Sequence, residues 1–146
     1  MDYLVDTSVL VRTVHPPDPS RAIAVRALRT LGSAGHRLCV LPQNLAEFWF
    51  TCTRPVDSNG LGYSFARTRR YISTFETIFE LFYETPEVYR EWRRLLDQYE
   101  SSGRHLFDAR LAAAAKFHGF DQVLTFDVAH FRRYSGIMVT HPADVD

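Results

Sequence analysis

Apolar positions along this chain fall into two kinds of pattern. Tyr3-Leu4-Val5, Leu38-Cys39-Val40-Leu41 and Val123-Leu124-Thr125-Phe126 are short, near-continuous runs, and Ile137-Met138-Val139 is the last of them. Such runs predict strands buried on both faces, as in a parallel sheet. Leu81-Phe82-Tyr83 reads as a further short strand. The segments between them carry helical spacing and helix-end signals. Val9-Leu10-Val11 continues into a helical turn behind an Asp-Thr-Ser corner. Asp18 is a natural N-cap with Pro19 at the first helical position, for a helix from about Ser20 to Leu31 that Gly32 or Gly35 stops. Pro42 opens a helix through roughly Thr53, closed by Arg54-Pro55. Val56 to Gly62 is a loop with Asn59-Gly60 as its turn signal. Ser64 can cap a helix to about Phe79, with Phe75, Ile78, Phe79 and Phe82 at helical spacing. Thr85-Pro86 starts the next helix, which ends near Gly103, and an alanine-rich helix runs from Asp108 to His118 before Gly119. Strands that alternate with helices predict an α/β fold with a mostly parallel sheet covered on both faces.

Composition narrows the picture without deciding it. A chain of 146 residues, 46% hydrophobic, is expected to form one domain over residues 1–146 with a real core. No apolar run approaches the length of a membrane span, and Asp2 and Asp6 stand where a signal peptide carries basic residues, so a cytoplasmic protein is expected. Cys39 and Cys52 read as buried free thiols, and no Cys/His spacing resembles a zinc site. The formal net charge of +0 argues against coating nucleic acid by bulk electrostatics but leaves a local basic surface open. Lys116 is the only lysine; the other cations are arginines, which suit bidentate phosphate contacts.

Four acids carry the candidate chemistry. Asp6 ends the first apolar run, Glu47 lies in Leu45-Ala46-Glu47-Phe48-Trp49, Asp108 opens the alanine-rich helix, and Asp127 closes Val123-Leu124-Thr125-Phe126. Each has an ordinary reading: a turn cap for Asp6, helix caps for Asp108 and Asp127, a solvated side chain for Glu47. Together they say more, because an open α/β sheet binds ligands outside the carboxyl ends of its strands. At the helical period, Leu45, Phe48, Trp49 and Cys52 share one face of the Pro42 helix, and Glu47 falls opposite with Gln43, Asn44 and Thr51. Gathered carboxylates repel one another unless a divalent cation neutralises them. Hard oxygen donors with no soft ligand favour Mg²⁺, with Mn²⁺ as substitute, and one or two ions remain open. Such ions hold a phosphodiester, activate water and neutralise a leaving oxygen.

The pattern Leu-Val-Asp-Thr-Ser, then Ala-Glu-Phe, then Phe-Asp-Ala-Arg-Leu-Ala-Ala-Ala-Ala, then Leu-Thr-Phe-Asp-Val-Ala-His-Phe resembles the PIN domain over nearly the whole chain. The ordered set is specific where no single motif is. The resemblance implies a PIN-like three-layer α/β/α sandwich and a metal-dependent ribonuclease. Many bacterial single-domain members are VapC-type toxins of toxin–antitoxin pairs, so RNA as substrate, a cognate antitoxin and a homodimer are implied partners. Position by position, Asp6, Glu47, Asp108 and Asp127 match the family's acidic quartet, and Thr7 or Ser8 matches the hydroxyl neighbour of the first acid. Asp6 and Asp108 are the expected metal ligands, with Glu47 and Asp127 binding directly or through water. Arg12 and Arg104, close in sequence to Asp6 and Asp108, are the candidate phosphate contacts.

Other readings stay in view. A phosphotransfer receiver needs a lysine after a late strand, and Lys116 is within a helix; a haloacid-dehalogenase-type phosphatase needs a second Asp where this chain has Ser8. A housekeeping RNA-processing nuclease, or a PIN-like binding module without catalysis, uses the same scaffold. Arg67, Arg69 and Arg70 read as a solvated face with an RNA-binding edge as the alternative, and Phe75, Phe79 and Phe82 as core or dimer interface. His105 and His130 are expected on loops or the surface, with a substrate contact as the alternative, and no motif places two histidines together.

Overall fold

The computed structural model describes residues 1–146. Its centre is a five-stranded sheet in the order β3-β2-β1-β4-β5. The strands are β1 (Asp2–Val5), β2 (Arg37–Val40), β3 (Glu80–Leu81), β4 (Gln122–Leu124) and β5 (Val139–Thr140). All four pairings are parallel, and Leu4 faces Cys39 on one side and Val123 on the other. Alternation along β1 sends Tyr3 and Val5 to one core and Leu4 to the other. The first core lies under α1 (Thr7–Val14), α2 (Pro19–Ser33), α3 (Pro42–Thr53) and α4 (Phe65–Ile78). The second lies under α5 (Pro86–Tyr99), α6 (His105–His118) and α7 (Val128–Arg132). The result is the expected α/β/α sandwich, with a sheet parallel throughout. No helix is long and apolar enough to cross a membrane.

Local chemistry sets most of the boundaries. Asp18 accepts from the Arg21 amide at 2.7 Å, with Pro19 as the first helical residue. The helix passes through Gly32, and Gly35, at φ +78°, is the glycine that turns the chain. Ser64 and Thr85 cap α4 and α5 as their sequence positions predict. The loop after α3 folds back on the helix end, where the amides of Leu61 and Tyr63 satisfy the Thr51 and Cys52 carbonyls at 3.0 and 2.7 Å. Gly60 is required there, since a Cβ would lie 1.9 Å from the Arg54 carbonyl oxygen. Cys39 and Cys52 are free, and burial pushes both thiols up to about 12.

Several boundaries differ from the sequence reading. β3 is Glu80–Leu81 because α4 ends at Ile78 and pairing to Cys39 and Val40 begins at once. Phe82 then leaves the helical stripe and packs on Phe120 and His118, while Phe75 and Phe79 stay in the first core. β4 stops at Leu124, leaving Thr125, Phe126 and Asp127 beyond the strand, and β5 lies one to two residues later than Ile137–Val139. α5 ends at Tyr99 on the left-handed Glu100, well short of Gly103. Most consequentially, α6 begins at His105, so Asp108 is a first-turn residue and not the cap.

Candidate functional site

The chain builds β1, β2 and β3 outward in one direction and β4 and β5 in the other. The order therefore reverses between β1 and β4, the switch point beyond whose strand ends open α/β sheets form their ligand crevice. Asp6 is placed in that crevice by one hydrogen bond past the strand, from its amide to the Leu124 carbonyl at 3.0 Å. Its Oδ2 accepts from Ser8 Oγ and from Thr125 Oγ1, each at 2.7 Å. Both hydroxyls are themselves tied to the backbone after β4. Ser8 Oγ accepts from the Phe126 amide at 3.1 Å, and Thr125 Oγ1 from the Asp127 amide at 2.9 Å. The corner after β1 and the corner after β4 are thus one hydrogen-bonded unit around a buried carboxyl.

Glu47 reaches the crevice from α3. Gln43, one turn earlier, donates Nε2 to Glu47 Oε1 at 2.6 Å and to the Phe107 carbonyl at 3.1 Å, which ties α3 to α6. Asp108 arrives from the first turn of α6. Its Oδ2 is buried without a hydrogen bond and faces Nδ1 of His105 and Nδ1 of His130, each at 3.4 Å. Asp127 is exposed at the start of α7 and caps nothing with its side chain.

Electrostatics tie these acids to one region. Burial raises the Asp6 carboxyl above its ordinary range; the Ser8 and Thr125 hydroxyls oppose the shift, and the charge of Asp127 adds to it. Burial likewise raises Glu47, with Gln43 and Thr7 opposing and the charges of Asp6 and Asp108 adding. Glu47 of α3 thus feels acids at the corner after β1 and on α6, and Asp6 feels one at the corner after β4. No three His, Cys, Asp or Glu side chains are grouped to hold an ion by themselves. The donor set of the four acids, carboxylate oxygens with no soft ligand among them, fits a small hard cation such as Mg²⁺.

The hydroxyls and arginines divide by position. Ser8 holds Asp6, whereas Thr7 is buried and accepts from Asn44 Nδ2 at 3.3 Å. Arg12 donates to the Ser8 carbonyl at 3.0 Å and lies 4.3 Å over the Phe126 ring, so it braces the Asp6 corner. Arg104 is exposed ahead of α6 and makes no ion pair or side-chain hydrogen bond. Arg67 packs 3.6 Å over Tyr63 and donates to the Tyr71 hydroxyl at 3.1 Å, leaving Arg69 and Arg70 exposed on that helix.

Three features escape the sequence reading. Asn44, assigned to the polar stripe of α3, is fully buried: its Oδ1 accepts from the Leu41 amide at 2.8 Å, closing the start of the helix on itself. Its place three residues after Leu41, with Pro42 between, is the signal of that cap. Thr125 reads as part of an apolar strand but is the second hydroxyl on Asp6. Finally, the structure does bring two histidines together: the rings of His105 and His130 are 5.6 Å apart.

An all-parallel sheet with Asp6 and Asp127 just past the two strands at its switch point defines a class of protein. The PIN domain family model matches residues 3–137, and the chain belongs to the PIN domain family. No curated protein sequence matches the chain significantly. Among solved structures it is similar to VapBC2 from Rickettsia felis, bound to a DNA fragment from its promoter, with a TM-score of 0.72, 14% identity and coverage of 97% of this chain and 98% of that one. VapBC-1 from nontypeable Haemophilus influenzae gives 0.71 and 14%, covering 99% and 100%. Mycobacterium tuberculosis VapC20, a sarcin–ricin loop cleaving toxin, gives 0.69 and 17%, covering 93% and 96%. At these identities the likeness is one of fold.

Proposed function

We propose that this chain, as one PIN-like domain over residues 1–146, is a Mg²⁺- or Mn²⁺-dependent endoribonuclease and the toxin of a toxin–antitoxin pair. The observation that carries the reading is the coupling of the four acids: burial raises Asp6 and Glu47, with the charge of Asp127 adding to the first and those of Asp6 and Asp108 to the second. Membership of the PIN family and likeness in fold to VapBC toxin–antitoxin proteins support it. A cognate antitoxin is the expected protein partner and the cytoplasm the expected place. A homodimer is supported by exposed Phe50 and Phe65 beside Trp49.

In this reading Asp6 and Asp108 hold the cation, and Glu47 and Asp127 bind it directly or through water. When bound, the ion neutralises the scissile phosphate and lowers the pKa of an attacking water. Ser8 and Thr125 fix the direction of the Asp6 carboxyl, and Gln43 fixes that of Glu47. Arg104 contacts the phosphate backbone, and Arg12 does so from the edge of the Asp6 corner. Replacing Arg104 by Ala is expected to weaken RNA binding equally across sequences. It should also lower the slope of log K against log salt by about 0.7 for a single-stranded substrate. If Arg12→Ala and Arg104→Ala both bind RNA like wild type at every salt concentration, the two roles are misassigned.

One observation favours a second chemistry. His105 and His130 are close enough to serve as a base and acid that activate the ribose 2′-hydroxyl without metal. Both Nδ1 atoms face Asp108, however, which points the pair at the acid. Cleavage of an RNA oligonucleotide by the purified protein, with EDTA and with added Mg²⁺ or Mn²⁺, tests the proposed function and separates the two chemistries.

A further inference from the structure

The acids of the crevice are not held alike. Asp6 Oδ2 is fixed by two hydroxyls at 2.7 Å and Glu47 Oε1 by the Gln43 amide at 2.6 Å. Asp108 has neither hydroxyl nor amide: its buried Oδ2 meets only two imidazoles. His105 comes from the same first turn of α6, three residues earlier, and His130 from α7 on the far side. Their rings stand nearly perpendicular, at 81°, and bring both Nδ1 atoms to 3.4 Å from one oxygen, short of hydrogen-bond geometry, with His105 Nδ1 buried and unpartnered like the Asp108 oxygen it faces. Core packing does not account for this convergence. The two side chains remain 41% and 43% exposed, and α7 is anchored by the buried Phe131. A neutral imidazole with its proton on Nδ1 is a sufficient donor, so neither ring need carry charge.

We infer that His105 and His130 are positioning residues, which hold Asp108 by Oδ2 and leave its other oxygen as the ligand atom. The inference rests on the metal-dependent reading above. Groups that orient a metal-binding carboxylate from behind contribute strongly to metal affinity even though they never touch the ion.

The test is Mn²⁺ affinity, read from the electron paramagnetic resonance signal of free Mn²⁺ at fixed pH. Three proteins are compared: wild type, the His105→Ala/His130→Ala double variant, and the His105→Asn/His130→Asn double variant. An asparagine amide places an N–H close to the position of Nδ1 without an imidazole. The alanine variant is expected to bind Mn²⁺ about 10- to 100-fold more weakly, and the asparagine variant to recover most of the loss. Near-ultraviolet circular dichroism checks that each variant is folded. If the double alanine variant does not fold, His130→Ala alone is read in the same way, since Phe131 retains α7. Unchanged affinity in a folded alanine variant overturns the inference and leaves the metal reading intact. Asparagine variants as weak as alanine also overturn it, because the donor is then not what matters. Wild-type protein that binds no Mn²⁺ overturns the metal reading and the inference together.

Discussion

Asp6→Asn is expected to abolish Mn²⁺ binding, to lower RNA cleavage by on the order of 10³-fold, and yet to make the metal-free protein more stable. The loss of activity, about 4 kcal/mol in the transition state, is the scale of a removed metal contribution. The gain in stability follows from linkage. Burial raises the Asp6 carboxyl in the folded chain, so the fold prefers the protonated acid more than the unfolded chain does. The stability from that preference is fully present below the unfolded carboxylate range and is lost as pH rises through the raised folded value. Glu47, raised by burial and by the charges of Asp6 and Asp108, loses stability in the same direction. Metal-free wild type should therefore melt at lower temperature as pH rises from acid toward neutral. The substituted asparagine cannot ionise, its amide oxygen can still accept from Ser8 and Thr125, and it removes one charge beside Glu47. The variant's advantage should widen toward neutral pH. Adding Mn²⁺ should raise the wild-type melting temperature by mass action and leave the variant unmoved. Identical melting curves at every pH, with equal response to Mn²⁺, would contradict both the shared site and the cause of the shifts.

Induced expression of the wild-type chain in a bacterial host should arrest growth, and Asp6→Asn at equal protein level should be harmless. Because the variant keeps the fold and its surface, the contrast isolates the crevice from any harm done by the protein's mere presence. Co-expression of a cognate antitoxin should restore growth. Normal growth with abundant, folded, RNA-cleaving wild-type protein would count against the toxin reading and favour an RNA-processing nuclease on the same scaffold.

Residues whose role is local were legible in the chain. Asp18 before Pro19, Ser64 and Thr85 announce helix starts because capping is settled within one turn, and the structure places each as a cap. The apolar runs reveal β1, β2 and β4 for the same reason: a strand buried on both faces must be apolar throughout. What could not be read depends on contacts between distant segments. Thr125 serves Asp6 across 119 positions. Asn44 is buried because Thr7 of α1 packs against the start of α3, which the helical period cannot know. His105 and His130 meet because α6 begins a turn earlier than its alanine run suggests and α7 folds back beside it. The four acids occupied a middle ground. Each has a separate structural excuse in the sequence, and their common location follows only from the rule for strand ends.

The central claim is that water, and not the ribose 2′-hydroxyl, attacks the phosphorus at a carboxylate-held cation. The proximity of His105 and His130 makes the alternative concrete, so product chemistry decides between them. Mass spectrometry of a cleaved RNA oligonucleotide is the direct measurement. Fragments bearing a 5′-phosphate and a 3′-hydroxyl are expected, formed only with Mg²⁺ or Mn²⁺ present and blocked by EDTA. A 2′,3′-cyclic phosphate formed in EDTA would contradict the account, transferring the chemistry to the histidine pair and leaving the acids of the crevice without their proposed role.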